Sequence, residues 1–113
     1  MKIRLSQIAC ARSGDKGGNS NIGLIFKNEI IYNWACKKIT ADLIKYHFKK
    51  ICKGNVVRYE LPNLRAFNFI LEDSLGGGGS GSLLNDAQGK THGQGILLLE
   101  MEAPDSFKEF INE

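Results

Sequence analysis

The stretch Val56-Val57-Arg58-Tyr59-Glu60-Leu61-Pro62-Asn63-Leu64-Arg65-Ala66-Phe67-Asn68-Phe69-Ile70-Leu71-Glu72-Asp73-Ser74-Leu75-Gly76 decides how this chain folds. Its first half has a period of two, with Val57, Tyr59 and Leu61 alternating against Val56, Arg58 and Glu60. That is a β-strand, and it stops where Pro62 removes a ladder donor. In the second half the period changes. Asn63 is placed to cap a helix for which Leu64, Phe67, Leu71 and Leu75 form the apolar stripe, Ile70 widens it and Gly76 ends it.

Upstream, Ile3 and Leu5 alternate with Lys2, Arg4 and Ser6, then the register slips by one to Ile8 and Cys10, which predicts a strand bulged near Gln7. Asn21 to Phe26 alternates again through Ile22, Leu24 and Phe26, and Lys27-Asn28-Glu29 closes this second strand before a short segment from Ile30 to Trp34. Thr40 is a good N-cap. With Asp42 in the first turn and Leu43, Ile44, His47, Phe48, Ile51 and Cys52 on one face, a helix is predicted up to Gly54. Downstream, Ser82 to Leu84 and Gly95 to Met101 read as two closing strands about an Asn85 to Lys90 turn. The residues after Pro104 carry Phe107, Phe110 and Ile111 at helical spacing and are expected to dock back as a short helix. Residues 1–103 are thus read as one small domain and 104–113 as its tail.

Five strands and two helices pack most simply as an α+β two-layer sandwich, an antiparallel or mixed sheet with both helices on one face. The other face must then be polar or covered by another chain. Ile8, Ile25, Val56 and Leu98, out of phase with the core set, make it partly apolar and predict a homo-oligomer or hetero-complex. The 113 residues suffice for a single core. Apolar residues make up 42% and the net charge is only +3, which excludes a disordered chain. No apolar run approaches the ~18 residues of a membrane helix. Arg4 and Gln7 break the N-terminal stretch where a secretory leader would be apolar, and the three cysteines Cys10, Cys36 and Cys52 are far apart. A reduced, cytoplasmic and metal-free protein is expected.

Functional groups are densest in the loop Ala11-Arg12-Ser13-Gly14-Asp15-Lys16-Gly17-Gly18-Asn19-Ser20-Asn21-Ile22-Gly23. It lacks the Gly-Lys-Ser/Thr of a nucleotide-binding loop, and a strand follows it instead of a helix. The remaining reading is an anion site made by Arg12, Lys16 and loop amides, with Ser13, Asn19 and Asn21 beside them. Asp15 either orients Arg12 or acts catalytically on a proton. The alternative is a solvated loop in which Asp15 pairs Arg12 or Lys16. Glu60 with Asn63 and Asn68 forms a second polar cluster if their strand face is the site face; otherwise Arg58 and Glu60 pair in solvent.

Gly76-Gly77-Gly78-Gly79-Ser80-Gly81-Ser82 has the composition of a linker, but only 31 residues follow it. Fewer than ~40 residues seldom fold alone, so the run is read as an intradomain loop that lets a ligand or partner backbone approach closely. Lys45, Lys49 and Lys53 repeat along one helix face without an aromatic platform, which fits a solvated face better than a nucleic-acid surface. His47 reads as a packed residue, and His92 has no second ligand near it.

Three segments together, Ala11 to Gly23, Tyr59-Glu60-Leu61-Pro62-Asn63 through Asn68-Phe69, and Leu75-Gly76-Gly77-Gly78, resemble the small C-terminal domain of the acyclic terpene utilisation protein (AtuA-like) family, which also occurs free-standing. The resemblance extends to about Met101. It implies a ferredoxin-like fold and a small-subunit role beside a larger AtuA-like subunit. It further implies a setting of acyl-CoA breakdown of branched or terpenoid acids, in which a coenzyme A thioester is the substrate and lyase or hydratase chemistry is the setting. On this reading Gly76, Gly77 and Gly78 join the ligand-binding residues, and no cofactor or metal is required. A fourth glycine and the acidic tail after Pro104 depart from the family pattern. The rival expectation is an assembly module with no ligand of its own.

Overall fold

Ile3 and Leu5 are buried between exposed neighbours, yet the strand they begin does not run on to Cys10. β1 (Lys2–Arg4) ends in a 3-10 turn, Leu5–Gln7, held by the Arg4 N–H donating to Gln7 Oε1 at 2.8 Å. The turn absorbs the one-residue slip and divides the predicted first strand between two sheets. β1 pairs antiparallel with β6 (Glu100–Glu102), Ile3 opposite Met101, while β2 (Ala9–Lys16) enters the main sheet. The computed structural model describes residues 1–16, 19–49, 52, 54–72 and 95–111.

The main sheet has four strands in the order β2-β3-β5-β4, all antiparallel, with β3 at Asn19–Phe26, β4 at Val56–Leu61 and β5 at Ala66–Leu71. Directly opposed residues of antiparallel strands share a face, so the register sorts the side chains into rows. The rows Ala11-Leu24-Phe67-Glu60 and Ser13-Ile22-Phe69-Arg58 alternate with Cys10-Ile25-Ala66-Leu61, Arg12-Gly23-Asn68-Tyr59 and Gly14-Asn21-Ile70-Val57. The first set carries the core. Ile22, Leu24, Phe67, Phe69 and Leu71 are fully buried there, beneath α1 (Glu29–Lys38) and α2 (Ala41–His47). The molecule is therefore an α+β two-layer sandwich with its helices on one face, as expected, although a separate two-stranded ribbon accompanies the four-stranded sheet.

Several elements differ from the sequence reading. The segment after Pro62 is strand β5 and not a helix, because Phe67, Phe69 and Leu71 bury one face at a period of two. The second helix lies earlier, where Ile30 to Trp34 belong to α1; the Asn28 side chain caps it by accepting the Ile31 N–H at 2.9 Å. Thr40 caps α2 as predicted, accepting from Leu43 at 3.1 Å, but that helix stops at His47. Gly54 does not end it. A β-carbon there would lie 2.7 Å from the Glu72 carbonyl oxygen, which accepts the Gly54 N–H, so the glycine allows two backbones to meet. Residues 95–97 form a helical turn, and only Glu100–Glu102 is a strand of the predicted Gly95 to Met101 segment. The Ser82 to Leu84 strand, the Asn85 to Lys90 turn, the Gly76 to Ser82 loop and His92 lie outside the described residues. His47 donates from Nε2 to the Gly95 carbonyl at 2.9 Å, tying α2 to the 95–97 turn. After Pro104, a 3-10 turn (Asp105–Phe107) and a helical turn (Lys108–Ile111) place Phe107 edge-on to Trp34 of α1, with ring centroids 5.1 Å apart.

The β4–β5 connection is Pro62-Asn63-Leu64-Arg65, in which Arg65 takes a left-handed conformation (φ 51°, ψ 48°). Its carbonyl accepts the Phe26 N–H at 2.9 Å, which fixes the turn against β3. Left-handed backbone costs a non-glycine residue about 1–2 kcal/mol, part of which glycine returns as extra freedom in the unfolded chain. Arg65→Gly is therefore expected to stabilise the protein by roughly 0.5–1 kcal/mol, read as a higher denaturant midpoint. A lower midpoint would show that the Arg65 side chain has a role in stability.

Candidate functional site

The side of the sheet that no described helix covers is where several of the sequence-predicted polar groups lie. Arg12 and Asn21 are exposed and Asn68 is half-buried, and the register sets all three on this face. Arg12 opens a row that continues through Gly23 and Asn68 to Tyr59, one residue from each strand. Gly23 leaves the middle of that row low: a β-carbon there would meet only the Arg12 carbonyl oxygen, at 3.8 Å. No described residue forms an ion pair with Arg12. Asn19 stands opposite Lys16 at the hairpin end, and with Ser20, Asn21 and Ile70 it lines a cavity of about 170 Å³.

Other candidates are separated from this group. Ser13 lies in a row with Ile22 and Phe69, on the helix-covered side. Asp15 pairs with Ser20 and has the opposite parity to Arg12 along β2. Glu60 belongs to the covered side as well, at its β4 edge, where its carboxylate accepts from Arg58 Nη2 at 2.9 Å. The Arg58–Glu60 pair is thus present, but Arg58 is not a solvent residue. Its Nη1 donates to the Cys36 and Ile39 carbonyls at the end of α1, at 3.0 and 2.9 Å, and its guanidinium lies 4.7 Å from the Phe67 ring centroid. Asn63 is exposed in the β4–β5 turn, at the end of the sheet away from the β2–β3 hairpin. Gly76, Gly77 and Gly78 lie outside the described residues.

The face also holds residues that the sequence reading did not assign to a site. Tyr59, Leu61 and Ile25 are 54%, 40% and 38% exposed, Leu64 is exposed in the adjoining turn, and Cys10 is exposed beside Ile25. Ile8, by contrast, is fully buried, Val56 faces the helices, and Leu98 is exposed outside the sheet, so only Ile25 of the four predicted residues is on the open face. The missed signal was the parity of residues 66–71, which as a strand puts Ala66, Asn68 and Ile70 together.

Among the described residues, the titratable side chain most altered by its surroundings is Tyr32 of α1, on the other side of the sheet. Burial between α1 and the sheet pushes it up to about 12; its hydroxyl lies near the Cys36 thiol without a hydrogen bond of good geometry. Among the described residues there is no group of three His, Cys, Asp or Glu side chains able to hold a metal, and no helix is long and apolar enough to cross a membrane. The open face is broad and shallow. The cavity at Asn19, Ser20, Asn21 and Ile70 is well below the ~300 Å³ at which small-molecule pockets usually begin, while an open hollow of about 370 Å³ lies at the other end, lined by Glu60, Leu61, Pro62, Asn63 and Leu64.

An antiparallel sheet with described helices on one side, and a cation, carboxamides and apolar side chains on the other, defines an α+β domain. Residues 3–102 match the family model described as the AtuA ferredoxin-like domain, and the chain belongs to that family. No curated protein and no solved structure matches it.

Proposed function

We propose that this chain is the small subunit of a complex that handles acyl-CoA in the breakdown of branched or terpenoid acids, seated beside a larger AtuA-like subunit in the cytoplasm. The observation that carries this reading is the open face, where exposed Tyr59, Leu61 and Ile25 adjoin Arg12, Asn21 and Asn68. A mixed apolar and polar surface of this kind suits a subunit boundary better than a free ligand pocket. On this reading the hairpin end supplies the anion contacts. Lys16, Asn19 and Asn21 receive a phosphate or carboxylate of the thioester, and Asp15, of opposite parity, takes part in proton transfer only for a ligand that reaches round the hairpin end.

The assembly module without a ligand is the second reading, favoured by the small size of the cavity at Asn19, Asn21 and Ile70. Titrating acetyl-CoA into the assembled pair of subunits separates the two. In the first reading heat of binding is measured, and Lys16→Ala weakens it about tenfold to a hundredfold, the worth of one charge-assisted hydrogen bond. Lys45→Ala, on the exposed face of α2, leaves it unchanged. Binding unaffected by Lys16→Ala removes the hairpin from the site, and absence of binding by the intact pair favours the assembly module.

A further inference from the structure

A sheet face that no described helix covers, with exposed apolar side chains, invites pairing with a second copy, and the register fixes which residues would then meet. Two copies stacked face to face about a two-fold axis along the strands lay β2 over the partner's β4. An axis across the strands lays β2 over β2. Arg12 then meets either the row set of Val57, Tyr59 and Leu61 or that of Cys10, Arg12 and Gly14. Neither set contains a carboxylate. Among the described residues of this face, the next carboxylate is Glu72, one residue past β5, two register rows further along and two strands across. Self-pairing would therefore set the Arg12 guanidinium, on edge strand β2, against Tyr59 or the second copy's Arg12 with no described carboxylate to meet it, so this face offers a second copy no ion pair and in one arrangement like-charge repulsion. Area points the same way. Four strands at ~4.8 Å spacing and six residues at ~3.3 Å rise give a face of roughly 400 Å², about half of what one partner contributes to a standard interface.

We infer that Arg12 bars this face from closing on a second copy and reserves it for a different chain, larger than the face itself, that sets a carboxylate opposite Arg12 within an apolar surround formed with Tyr59, Ile25 and Leu61. The inference deepens the small-subunit reading and rests on it for the partner's identity. It assigns the anion at Arg12 to the partner chain and leaves Lys16, Asn19 and Asn21 to the thioester. The selective element is repulsive as well as attractive: one cation rejects the self-complex and recognises the acid of the right partner.

Sedimentation velocity of the full chain tests the first half. Arg12→Leu is expected to raise the assembled mass above that of the wild type, and adding Ile25→Asp is expected to reverse the rise. Arg12→Val serves as the replacement if leucine impairs folding, since valine suits a strand. No rise in mass, or a wild-type dimer that Ile25→Asp disperses, overturns the inference. For the second half the probe is a purified AtuA-like large subunit. Arg12→Glu should weaken its binding at least tenfold to a hundredfold while Arg12→Lys retains most of it, with added salt weakening the wild-type complex. Equal binding by Arg12→Glu and wild type overturns the assignment of the acid. Failure of the wild-type chain to bind the large subunit defeats the small-subunit reading instead, and the sedimentation result still decides whether Arg12 prevents self-pairing.

Discussion

Replacing Phe67 with alanine is expected to cost about 3–5 kcal/mol, the range for removing a fully buried phenylalanine, and so to consume most of the stability of an ordinary small domain. Phe67 is fully buried on β5, and its ring touches three others: Phe26 at 5.3 Å, Tyr32 at 5.3 Å and Phe69 at 5.9 Å between centroids. These rings join β3, α1 and β5, so their loss leaves a cavity that no single neighbour can fill. Chemical denaturation checks the expectation. A cost under about 1 kcal/mol would mean that the sheet and α1 do not meet through this ring. Phe67→Leu, which keeps most of the volume, should lose less than half as much.

The second large effect is expected at Arg58, whose side chain is only 18% exposed. Arg58→Met keeps the apolar stem and removes the guanidinium that satisfies the Cys36 and Ile39 carbonyls. Two charge-assisted hydrogen bonds are lost and two partly buried carbonyls are left without that donor, for a cost of about 2–4 kcal/mol. Arg58→Lys should not restore it, because a single ammonium cannot reproduce the planar fork that reaches both carbonyls and lies against Phe67. Glu60→Ala provides the contrast. Its carboxylate is half exposed, so the ion pair contributes less than about 1 kcal/mol. If Glu60→Ala proved as costly as Arg58→Met, the role of Arg58 would be pairing and not capping of α1.

The two-layer class was legible because residues 19–26 and 56–61 alternate cleanly and Thr40 announces its helix. The β4–β5 hairpin was not. Its turn holds neither Asn-Gly nor Asp-Gly, and its left-handed position is occupied by Arg65, so no turn signal separated the two strands. Leu64, Phe67 and Leu71 happen to fit helical spacing, whereas Phe67, Phe69 and Leu71 also fit a strand. Packing against Leu24 and Tyr32 settles that ambiguity, and local pattern does not. For α1, the β-branched and aromatic run Ile30-Ile31-Tyr32 masked a helix that Asn28 caps. The site was partly legible for the same reason. Arg12 and Asn21 were singled out from the density of polar groups in one hairpin, which needs no long-range information, and the register sets them on one face. The expected solvent pairing of Arg58 and Glu60 missed that β4 has inverted polarity: its apolar-looking parity, Val57, Tyr59 and Leu61, is turned away from the helices, and Arg58 is turned in to meet the end of α1.

The 3-10 turn at Leu5–Gln7 has a kinetic meaning. By sending β1 away from β2, it makes the first strand wait for the last. Lys2 pairs with Glu102 and Leu5 N–H with the Leu99 carbonyl, contacts separated by nearly the whole chain, whereas β2–β3 and β4–β5 are hairpins closed over a few residues. Closing a loop of about a hundred residues carries roughly 4 kcal/mol of chain entropy from its length alone. That cost falls to little once the four-stranded sheet has already drawn the ends together. Loop entropy alone thus favours an order in which the four-stranded sheet forms first and the β1–β6 ribbon closes over it afterwards, as a clasp.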